Sequence, residues 1–406
     1  MRRPAIVLVG VALGCAAPAP TALPFGAPAV LAGGEAVARV SSSASGGSEL
    51  VTAWVAVPPG ASGGTLYVRI GTGPAVALPD SAGDASADPE TPPKIRFGPD
   101  GSLSLLYNVA RRFEGQARPL ASLRFRRSAD TGRTWSGPVV VADDGEFGRY
   151  RNDHALAVAP DGTLYVSWLD ERVADQISLA FARSLDGGAT WSPTAFVDAE
   201  SPCECCRSGL AVAGDGRVFL AWRKKLPGGI RDIVVASSDD RGATWSPPLR
   251  AHADDWEVSG CPDAGPSILA DADGTLHLAW WTGKPGGAGV RYVRSPDGGR
   301  TWGDPVPLGV AASSAPSHVQ LGRLGPDTLV AVWEDGTVPG RPVMAALLSA
   351  AGTGLGTRQM LSGPDAGGGF PTLAITAGEV AVSWHQDAGA GAGKRRELIE
   401  RIARRR

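Results

Sequence analysis

Short runs of alternating apolar and polar residues recur along the chain, and most of them begin at an Asp-Gly pair or a similar turn. Residues 164–168 follow Asp161-Gly162, and residues 218–222 follow Asp215-Gly216. Alternation with a period of two indicates β-strands, and an Asp-Gly pair between two such runs is typical of a β-hairpin. The pattern predicts six hairpins, which end at Tyr107, Trp168, Trp222, Trp280, Trp333 and Trp384.

A second phrase, of the form Ser-x-Asp-x-Gly-x-Thr-Trp, follows four of these hairpins. Its tryptophans are Trp135, Trp191, Trp245 and Trp302, which are 56, 54 and 57 residues apart (191 − 135, 245 − 191, 302 − 245). The serine and aspartate oxygens can close a tight turn, and the glycine supplies the positive φ that the turn needs. A fixed period of this size indicates an array of equal structural units.

This phrase resembles the Asp box of the sialidase-like, or BNR-repeat, β-propellers. The resemblance implies an all-β fold in which each hairpin supplies the inner two strands of a four-stranded blade. Two further strands, Glu49–Val57 and Thr65–Ile70, precede the first hairpin, and the hairpin ending at Trp384 has no strand pattern after it. We therefore expect one six-bladed propeller over residues 49–388, whose last blade is closed by these N-terminal strands.

The two ends of the chain are typical of an exported protein. Arg2 and Arg3 precede a short apolar run and then Gly14-Cys15, which predicts a signal peptide over residues 1–15. Gly14-Cys15 also resembles a bacterial lipoprotein box, so Cys15 is a candidate for lipidation and membrane attachment. Residues 16–48 predict a flexible tether and residues 389–406 a basic tail. We expect a periplasmic protein, an outer-membrane lipoprotein or an extracellular protein.

Composition and missing motifs exclude several functions. The chain has Lys+Arg 39 against Asp+Glu 41 and a formal net charge of −2. A general nucleic-acid binder normally has a basic excess, so we expect no nucleic-acid partner. The sequence contains no phosphate-binding loop, no Gly-x-Ser-x-Gly elbow and no His-Glu-x-x-His helix, so no cofactor is expected. We expect a monomer.

The candidate site is the end of the central channel where inner strands begin and second strands end. Polar groups from several blades would converge there on one concave mouth. The candidate ligand-binding residues are His154, Arg172, Arg207, Arg223, Arg231, Asp232, Asp263, Trp281, His318 and His385. Arg172, Arg207 and Arg223 would contact an anion, and Trp281 would stack on a sugar ring. Asn108, Glu334 and Phe370 occupy equivalent positions.

Four cysteines interrupt the repeat on the same face. Cys203, Cys205 and Cys206 precede one inner strand, and Cys261 precedes the next. In an exported domain one or two disulfides among them are the favoured interpretation. The alternative is a metal site in which thiolates, with His154 or His318, bind copper(I) or zinc. The Cys-x-Cys-Cys motif followed by an arginine resembles a bacterial subgroup of sialidase-like BNR proteins.

The resemblance to sialidases also implies three arginines that hold a carboxylate, an aspartate acid/base and a late tyrosine nucleophile. Arg69-Ile70-Gly71 lacks the proline of the family's first arginine phrase, and the tyrosines at 67, 107, 150, 165 and 292 all precede the last two blades. Arg323 and Arg341 fall away from the predicted mouth.

We therefore predict an exported Asp-box propeller that binds a glycan or another small polar or anionic ligand at its mouth. The first alternative is a glycoside hydrolase of the sialidase superfamily, for which the candidate catalytic carboxylates are Glu90, Asp153, Asp170 and Glu171. The second alternative is a periplasmic thiolate metal-binding protein.

Overall fold

The computed structural model describes residues 22–33, 37–47, 49–61, 63–78, 85–173, 176–311, 315–364, 367–388 and 395–404. These residues form seven four-stranded antiparallel sheets. One short 3-10 turn, Pro227–Gly229, interrupts the all-β pattern. Within the described residues, no helix is long and apolar enough to cross a membrane.

Each sheet forms one blade, in which the strands follow one another from the inner edge to the outer edge. Blade one contains β2 (Val37–Gly46), β3 (Glu49–Val57), β4 (Thr65–Ile70) and β5 (Ala75–Ala77). Blade two contains β6 (Lys94–Phe97), β7 (Leu103–Arg111), β8 (Leu120–Ser128) and β9 (Val139–Val140). Blade three contains β10 (Asn152–Val158), β11 (Leu164–Val173), β12 (Gln176–Ser184) and β13 (Ala195–Asp198). Blade four contains β14 (Gly209–Val212), β15 (Val218–Leu226), β16 (Ile230–Ser238) and β17 (Leu249–Arg250).

The remaining three blades follow the same order. Blade five contains β18 (Ser267–Ala270), β19 (Leu276–Thr282), β20 (Ala288–Ser295) and β21 (Val306–Ala311). Blade six contains β22 (Val319–Gly325), β23 (Thr328–Glu334), β24 (Val343–Ser349) and β25 (Gln359–Met360). Blade seven contains β26 (Gly369–Ile375), β27 (Glu379–Ala388), β28 (Arg395–Arg404) and, at its outer edge, β1 (Ala29–Ala32). The inner strands contact one another in a closed cycle that returns from β26 to β2, so the sheets form a propeller.

The all-β propeller is confirmed, but the predicted number of six blades is wrong. Strands β3 and β4 do not complete the last blade, because they are the second and third strands of a blade whose inner strand is β2. Residues 37–46 are rich in serine and alanine and turn into β3 at Gly47 (φ 59°), without an Asp-Gly pair. This composition is also typical of a linker, which is why the sequence pattern hid a seventh hairpin.

The ring closes through segments that the sequence assigned to a tether and a tail. Strand β1 lies inside the expected tether and pairs with β28, which lies inside the expected basic tail, so both expectations are wrong for these residues. Strand β28 pairs in turn with β27, where Ile399 faces Trp384. An N-terminal strand does close the last blade, although it is not the predicted one. The expected signal peptide and Cys15 lie outside the described residues.

Large aromatic residues fill the spaces between blades. The tryptophans that mark the hairpins, Trp168, Trp222, Trp280, Trp333 and Trp384, are at most 1% exposed. Trp280 of blade five packs with Phe219 of blade four, and Trp333 of blade six packs with Tyr292 of blade five. Burying a side chain of this size contributes several kcal/mol, about 25 cal/mol for each Å² of apolar surface. The hairpin signature is therefore core packing.

The Asp boxes are structural as well. In the second box Asp186 Oδ1 accepts a hydrogen bond from Thr190 N at 2.9 Å, and Gly188 N donates to Ser184 Oγ at 2.8 Å. Gly188 has φ 91°, and a Cβ there would lie 1.9 Å from the Phe125 ring of the preceding blade. Trp191 packs edge-on against the same ring. The box thus joins neighbouring blades at the end of the sheet opposite to the start of the inner strand.

Candidate functional site

A channel with a volume of about 500 Å³ lies between the inner strands of blades two to seven. Most of its wall is apolar or small, as in β10 and β14, where alanine, glycine and valine face it. Its charged or ionisable lining residues are Lys94, Arg96, Arg207, His318 and Arg323. Among the residues whose side chains the structure describes, no aspartate or glutamate lines this channel. The wall of the channel is therefore electropositive.

Three of these cations lie near one another and are poorly compensated. Within the described chain, Lys94 Nζ has no hydrogen bond or ion pair, and burial together with the charges of Arg207 and Arg96 holds the pKa of Lys94 well below its usual range. Among the described residues, Arg96 Nη1 donates to the carbonyl of Ile95 alone, and burial lowers the pKa of Arg96. Arg207 Nε lies 3.5 Å from Glu90 Oε2, a long contact. An anion placed between these cations would relieve their repulsion.

A buried carboxylate–imidazole–carboxylate chain crosses the same end of the channel. His318 Nε2 lies 3.1 Å from Glu90 Oε1, and His318 Nδ1 lies 3.0 Å from Glu334 Oε1. Burial alone would lower the pKa of His318, but the charges of Glu334 and Glu90 and their hydrogen bonds raise it to about 9. Burial likewise opposes ionisation of both glutamates, yet the hydrogen bonds and charge of His318 leave their pKa values below the usual range. His318 is therefore a cation at neutral pH.

Asp153 is a buried carboxyl held in its neutral form. It is 2% exposed, and burial followed by the charge of Glu90 raises its pKa well above the usual range. Tyr150 Oη lies 2.6 Å from the carbonyl of Glu204 and 3.2 Å from Asp153 Oδ2. The phenol of Tyr150 donates to the carbonyl of Glu204 in the shorter contact, and Asp153 Oδ2 is its second, longer acceptor. Asp153 Oδ1 has no partner among the described residues.

His154 is the most isolated polar group at this end. It is fully buried, and its ring nitrogens have no well-formed hydrogen bond in the described part of the chain, with only a weak contact to the Pro92 backbone. Burial, then the charges of Lys94 and Arg207, hold its pKa well below the usual range. His154 is therefore neutral, in contrast to His318. We call Glu90, Lys94, Asp153, His154, Arg207 and His318 the mouth residues.

Backbone strain is concentrated at the mouth. Asp153, Asp263 and Phe370 precede or begin inner strands and have φ values of 55°, 47° and 54°, in the left-handed region. The pairing register shifts beside Asp153 and Phe370, so each lies at a bulge. Such residues cost about 1–3 kcal/mol each and gather at functional sites. The Phe370 ring stacks on His318 at 4.3 Å between centroids and so covers one side of the imidazole.

The three neighbouring cysteines lie beside the mouth as free thiols. Cys203 Sγ lies 3.0 Å from Cys206 Sγ and 3.8 Å from Cys205 Sγ. Hydrogen bonds from the Cys205 and Cys206 thiols, and the charge of Arg223, lower the pKa of Cys203. The predicted disulfides among Cys203, Cys205, Cys206 and Cys261 are not formed in this structure, and they stay a prediction. Neither His154 nor His318 belongs to the groups of potential metal ligands around the cysteines.

Two of the predicted anion-binding arginines are engaged by the protein itself. Arg223 is 1% exposed, and its guanidinium donates to the carbonyls of Ala264, Arg231 and Trp281. Arg172 contacts three carboxylates, which belong to Asp143, Asp144 and Asp170. Of the three proposed anion contacts, the structure places only Arg207 in the wall of the channel.

Several other candidates are parts of the framework. Trp281 is 3% exposed and packs edge-on against Trp256, so it offers no free face to a sugar. Asp232 is fully buried and accepts bonds from Arg250 and the backbone of the 255–256 turn. Asp170 is 1% exposed and bonded to Trp168 Nε1. His385 is 2% exposed, opposite Gly369 in the sheet.

The other candidates lie near the mouth or at the surface. Arg231 Nη1 lies 3.1 Å from Cys203 Sγ, and Asp263 is exposed with its carbonyl 3.0 Å from His318 Nε2. Glu171 is half-buried at the end of β11. Asn108 Nδ2 donates to the carbonyl of Arg151, which makes it a positioning group for the start of β10.

Sequence reasoning missed Lys94, Arg96 and Tyr150. A signal for the first two was present, because most of the described residues that line the channel are alanine, glycine or aliphatic, whereas β6 places two cations two positions apart. Tyr150 gave no such signal, because its contact with Glu204, 54 residues later, depends on how two loops fold together.

Comparison with known proteins supports this architecture. The family model described as a BNR repeat-like domain matches residues 80–259. No curated protein matches the chain. A Dyadobacter fermentans protein of unknown function is similar in structure, with a TM-score of 0.53 and 18% identity over 77% of this chain and 94% of that chain.

Two enzymes of known structure are similar to the same extent. The Hadza microbial sialidase Hz136 has a TM-score of 0.53 and 17% identity over 87% of this chain and 76% of that one. A Penicillium chrysogenum α-L-arabinanase in complex with arabinobiose has a TM-score of 0.50 and 16% identity over 76% and 92%. At these identities the likeness establishes the fold alone.

Proposed function

We propose that this seven-bladed propeller, in which residues 80–259 match a BNR repeat-like domain, binds a small anionic ligand, such as an acidic sugar, at the mouth of its central channel. The observation that carries the proposal is the uncompensated positive charge of the channel wall. The signal-peptide pattern at the N-terminus supports the further proposal that the protein is exported.

The cations near the mouth differ in how many hydrogen-bond or ion-pair partners the protein gives them. Arg223 and Arg172 already have carbonyl or carboxylate partners, whereas Lys94 has none among the described residues and Arg207 has one distant carboxylate. Lys94 is half-buried, and a partly desolvated cation without a partner is costly, in agreement with its lowered pKa. A carboxylate between Lys94 and Arg207 would accept charge-assisted bonds from both, which are about twice as strong as neutral ones.

The test is a titration of a ligand panel by calorimetry. Sialic acid and glucuronic acid represent acidic sugars, and glucose and arabinobiose represent neutral ones. We expect acidic sugars to bind, and Arg207→Met and Lys94→Met each to weaken binding by about 10–150-fold, the equivalent of about 1.5–3 kcal/mol. Arg127→Met is the matched control, because Arg127 pairs with Asp100 at the surface.

Proton uptake gives a second readout of the same proposal. Because a bound anion raises the lowered pKa of Lys94, binding should take up a proton over the pH range in which Lys94 titrates, and there the measured heat should vary with the ionisation enthalpy of the buffer. Unchanged affinity in both mouth variants, or equal binding of neutral and acidic sugars, would refute the proposal.

One observation favours a second candidate function, glycoside hydrolysis. Burial raises the pKa of Asp153, whereas the hydrogen bond and charge of His318 lower the pKa of Glu90, and a pair of carboxyls with opposed pKa shifts is the arrangement of an acid and a base or nucleophile. Release of the aryl group from a panel of aryl glycosides, and its loss in Asp153→Asn, would support this function. Binding of acidic sugars without any turnover would leave the binding function alone.

A further inference from the structure

We propose that Cys203, Cys205 and Cys206 form a three-thiolate site for a soft metal cation, and that its occupant is copper(I). The site is separate from the anion-binding function, because none of the three cysteines lines the channel. Its three sulfur atoms all lie within 4.8 Å of one another.

The sulfur positions suit a single ion. A cation with metal–sulfur bonds of about 2.3 Å would hold three sulfurs about 3.8–4.0 Å apart. Cys203 Sγ and Cys205 Sγ are already 3.8 Å apart. Cys203 Sγ and Cys206 Sγ are 3.0 Å apart and would need to open by about 1 Å, which rotation of one thiol about its χ1 angle can supply.

The loop that carries these thiols is anchored to blade four. Cys203 N donates to the carbonyl of Arg223 at 2.8 Å, and Pro202 forms an isolated bridge with Lys224 in the same strand. Lys224 Nζ is bonded to Asp198, the last residue of β13. A ligand set built on a fixed loop loses little conformational entropy when a metal binds.

Fixed positive charge faces the cluster. Arg231 Nη1 lies 3.1 Å from Cys203 Sγ, and Arg231 and Lys225 both contact the Glu204 carboxylate, at 3.3 and 2.5 Å. Glu204 is thus turned toward the cations, away from the role of a metal ligand. Three thiolates with one monovalent ion would carry a net charge of −2, which the guanidinium of Arg231 partly offsets.

The ligand set favours copper(I) over zinc. Structural zinc sites in proteins are almost always four-coordinate, and the described residues offer no fourth ligand atom to this group of three. Thiolates are the soft ligands that copper(I) prefers. A second group, Cys205, Cys261 and Asp263, shares Cys205 with the first and mixes a hard oxygen with two sulfurs. That mixed set suits copper(I) less well.

The first experiment uses the full chain with Cys15→Ser, so that only the other four cysteines remain. Protein reduced and purified without oxygen is titrated with copper(I) against a chromophoric copper(I) chelator. Alkylation followed by mass spectrometry then counts the reactive thiols with and without the metal. We expect one equivalent of copper(I), protection of Cys203, Cys205 and Cys206, and continued labelling of Cys261.

Copper(I) affinities of single variants distinguish the proposed metal ligands from the residues around them. Cys206→Ser should weaken copper(I) binding by more than the about 10–100-fold typical of losing an outer-shell partner, and Arg231→Gln by about that factor. Cys261→Ser is the matched control and should bind as the parent does. Melting temperatures of the apo-proteins show whether each variant folds, and the protection assay on the parent does not depend on any cysteine variant folding.

Three results would overturn the proposal. The first is labelling of all three thiols in the presence of copper(I). The second is zinc binding that excess copper(I) fails to displace. The third is recovery of Cys203 and Cys206 as a disulfide that persists after reduction by the glutathione couple, which would show a structural staple in place of a metal site.

Discussion

The pairing of His318 with two glutamates predicts a specific pH dependence of stability. The perturbation is a rise in pH from 6 to 9.5, applied to the wild-type protein and to His318→Gln. In the folded protein the pKa of His318 is about 9, against an ordinary value of 6.5. Because the folded pKa is raised, the stabilisation is complete below pH 6.5 and is lost as the pH rises through 9.

The size of the effect follows from the shift. A difference of about 2.5 pKa units, at about 1.36 kcal/mol for each unit, corresponds to about 3 kcal/mol of unfolding free energy. Solvent screens the His318–Glu334 ion pair only weakly, because the His318 side chain is 9% exposed and the Glu334 side chain is 1% exposed. The lowered pKa values of Glu90 and Glu334 act in the opposite direction, since their contribution is lost when the pH falls.

Urea unfolding followed by tryptophan fluorescence measures the free energies. Wild type should lose about 3 kcal/mol more than His318→Gln between pH 6 and pH 9.5, because the other groups titrate in both proteins. Imidazole signals in NMR give the pKa values directly, and the chain has only five histidines. Parallel stability curves for the two proteins, or a His318 signal that titrates near 6.5, would refute the reasoning.

Two further predictions concern the framework. Gly188→Ala should destabilise the protein by about 1–3 kcal/mol more than Gly162→Ala, as measured by chemical denaturation. Both glycines have positive φ, but only a Cβ at Gly188 would meet a neighbouring ring, that of Phe125. Equal losses of stability would show that this contact is unimportant. Truncation after residue 394 removes β28 and should abolish cooperative thermal unfolding, whereas truncation after residue 404 should not; a folded product of the shorter chain would show that the C-terminal strand is dispensable.

The sequence predicted those parts of the fold that depend on local turn chemistry. Asp161-Gly162 and the Ser184–Asp186 turn fix their backbone through bonds to residues two to four positions away, so a short pattern contains the information. Strand β2 lacks such a turn, and its pairing with β3 is decided by closure of the ring rather than by its own composition. The blade count therefore failed at a hairpin whose inner strand has the composition of a linker and whose turn has no Asp-Gly pair.

The structure brings Glu90, Arg207 and His318 into contact at one end of the channel, and their role in ligand binding stays a prediction. The rule that inner strands begin at that end grouped these residues. It could not show that Arg223 turns inward to the carbonyls of Ala264 and Trp281, because an arginine side chain is long enough to reach either solvent or a neighbouring blade. Burial and partner choice are tertiary properties, and for charged residues they decide which groups remain available to a ligand.

The contacts that stabilise each blade lie apart from the mouth, so the fold tolerates strained and charged residues there. The tryptophans and Asp boxes that join the blades lie away from the mouth, at the interfaces and at the opposite end of the sheets. The strained backbone at Asp153 and Phe370, and Lys94 without a partner among the described residues, are therefore compensated by the stability of the framework elsewhere. Because Lys94 contributes to anion binding, ligand should raise the melting temperature of the wild type more than that of Lys94→Met, which binds the anion more weakly.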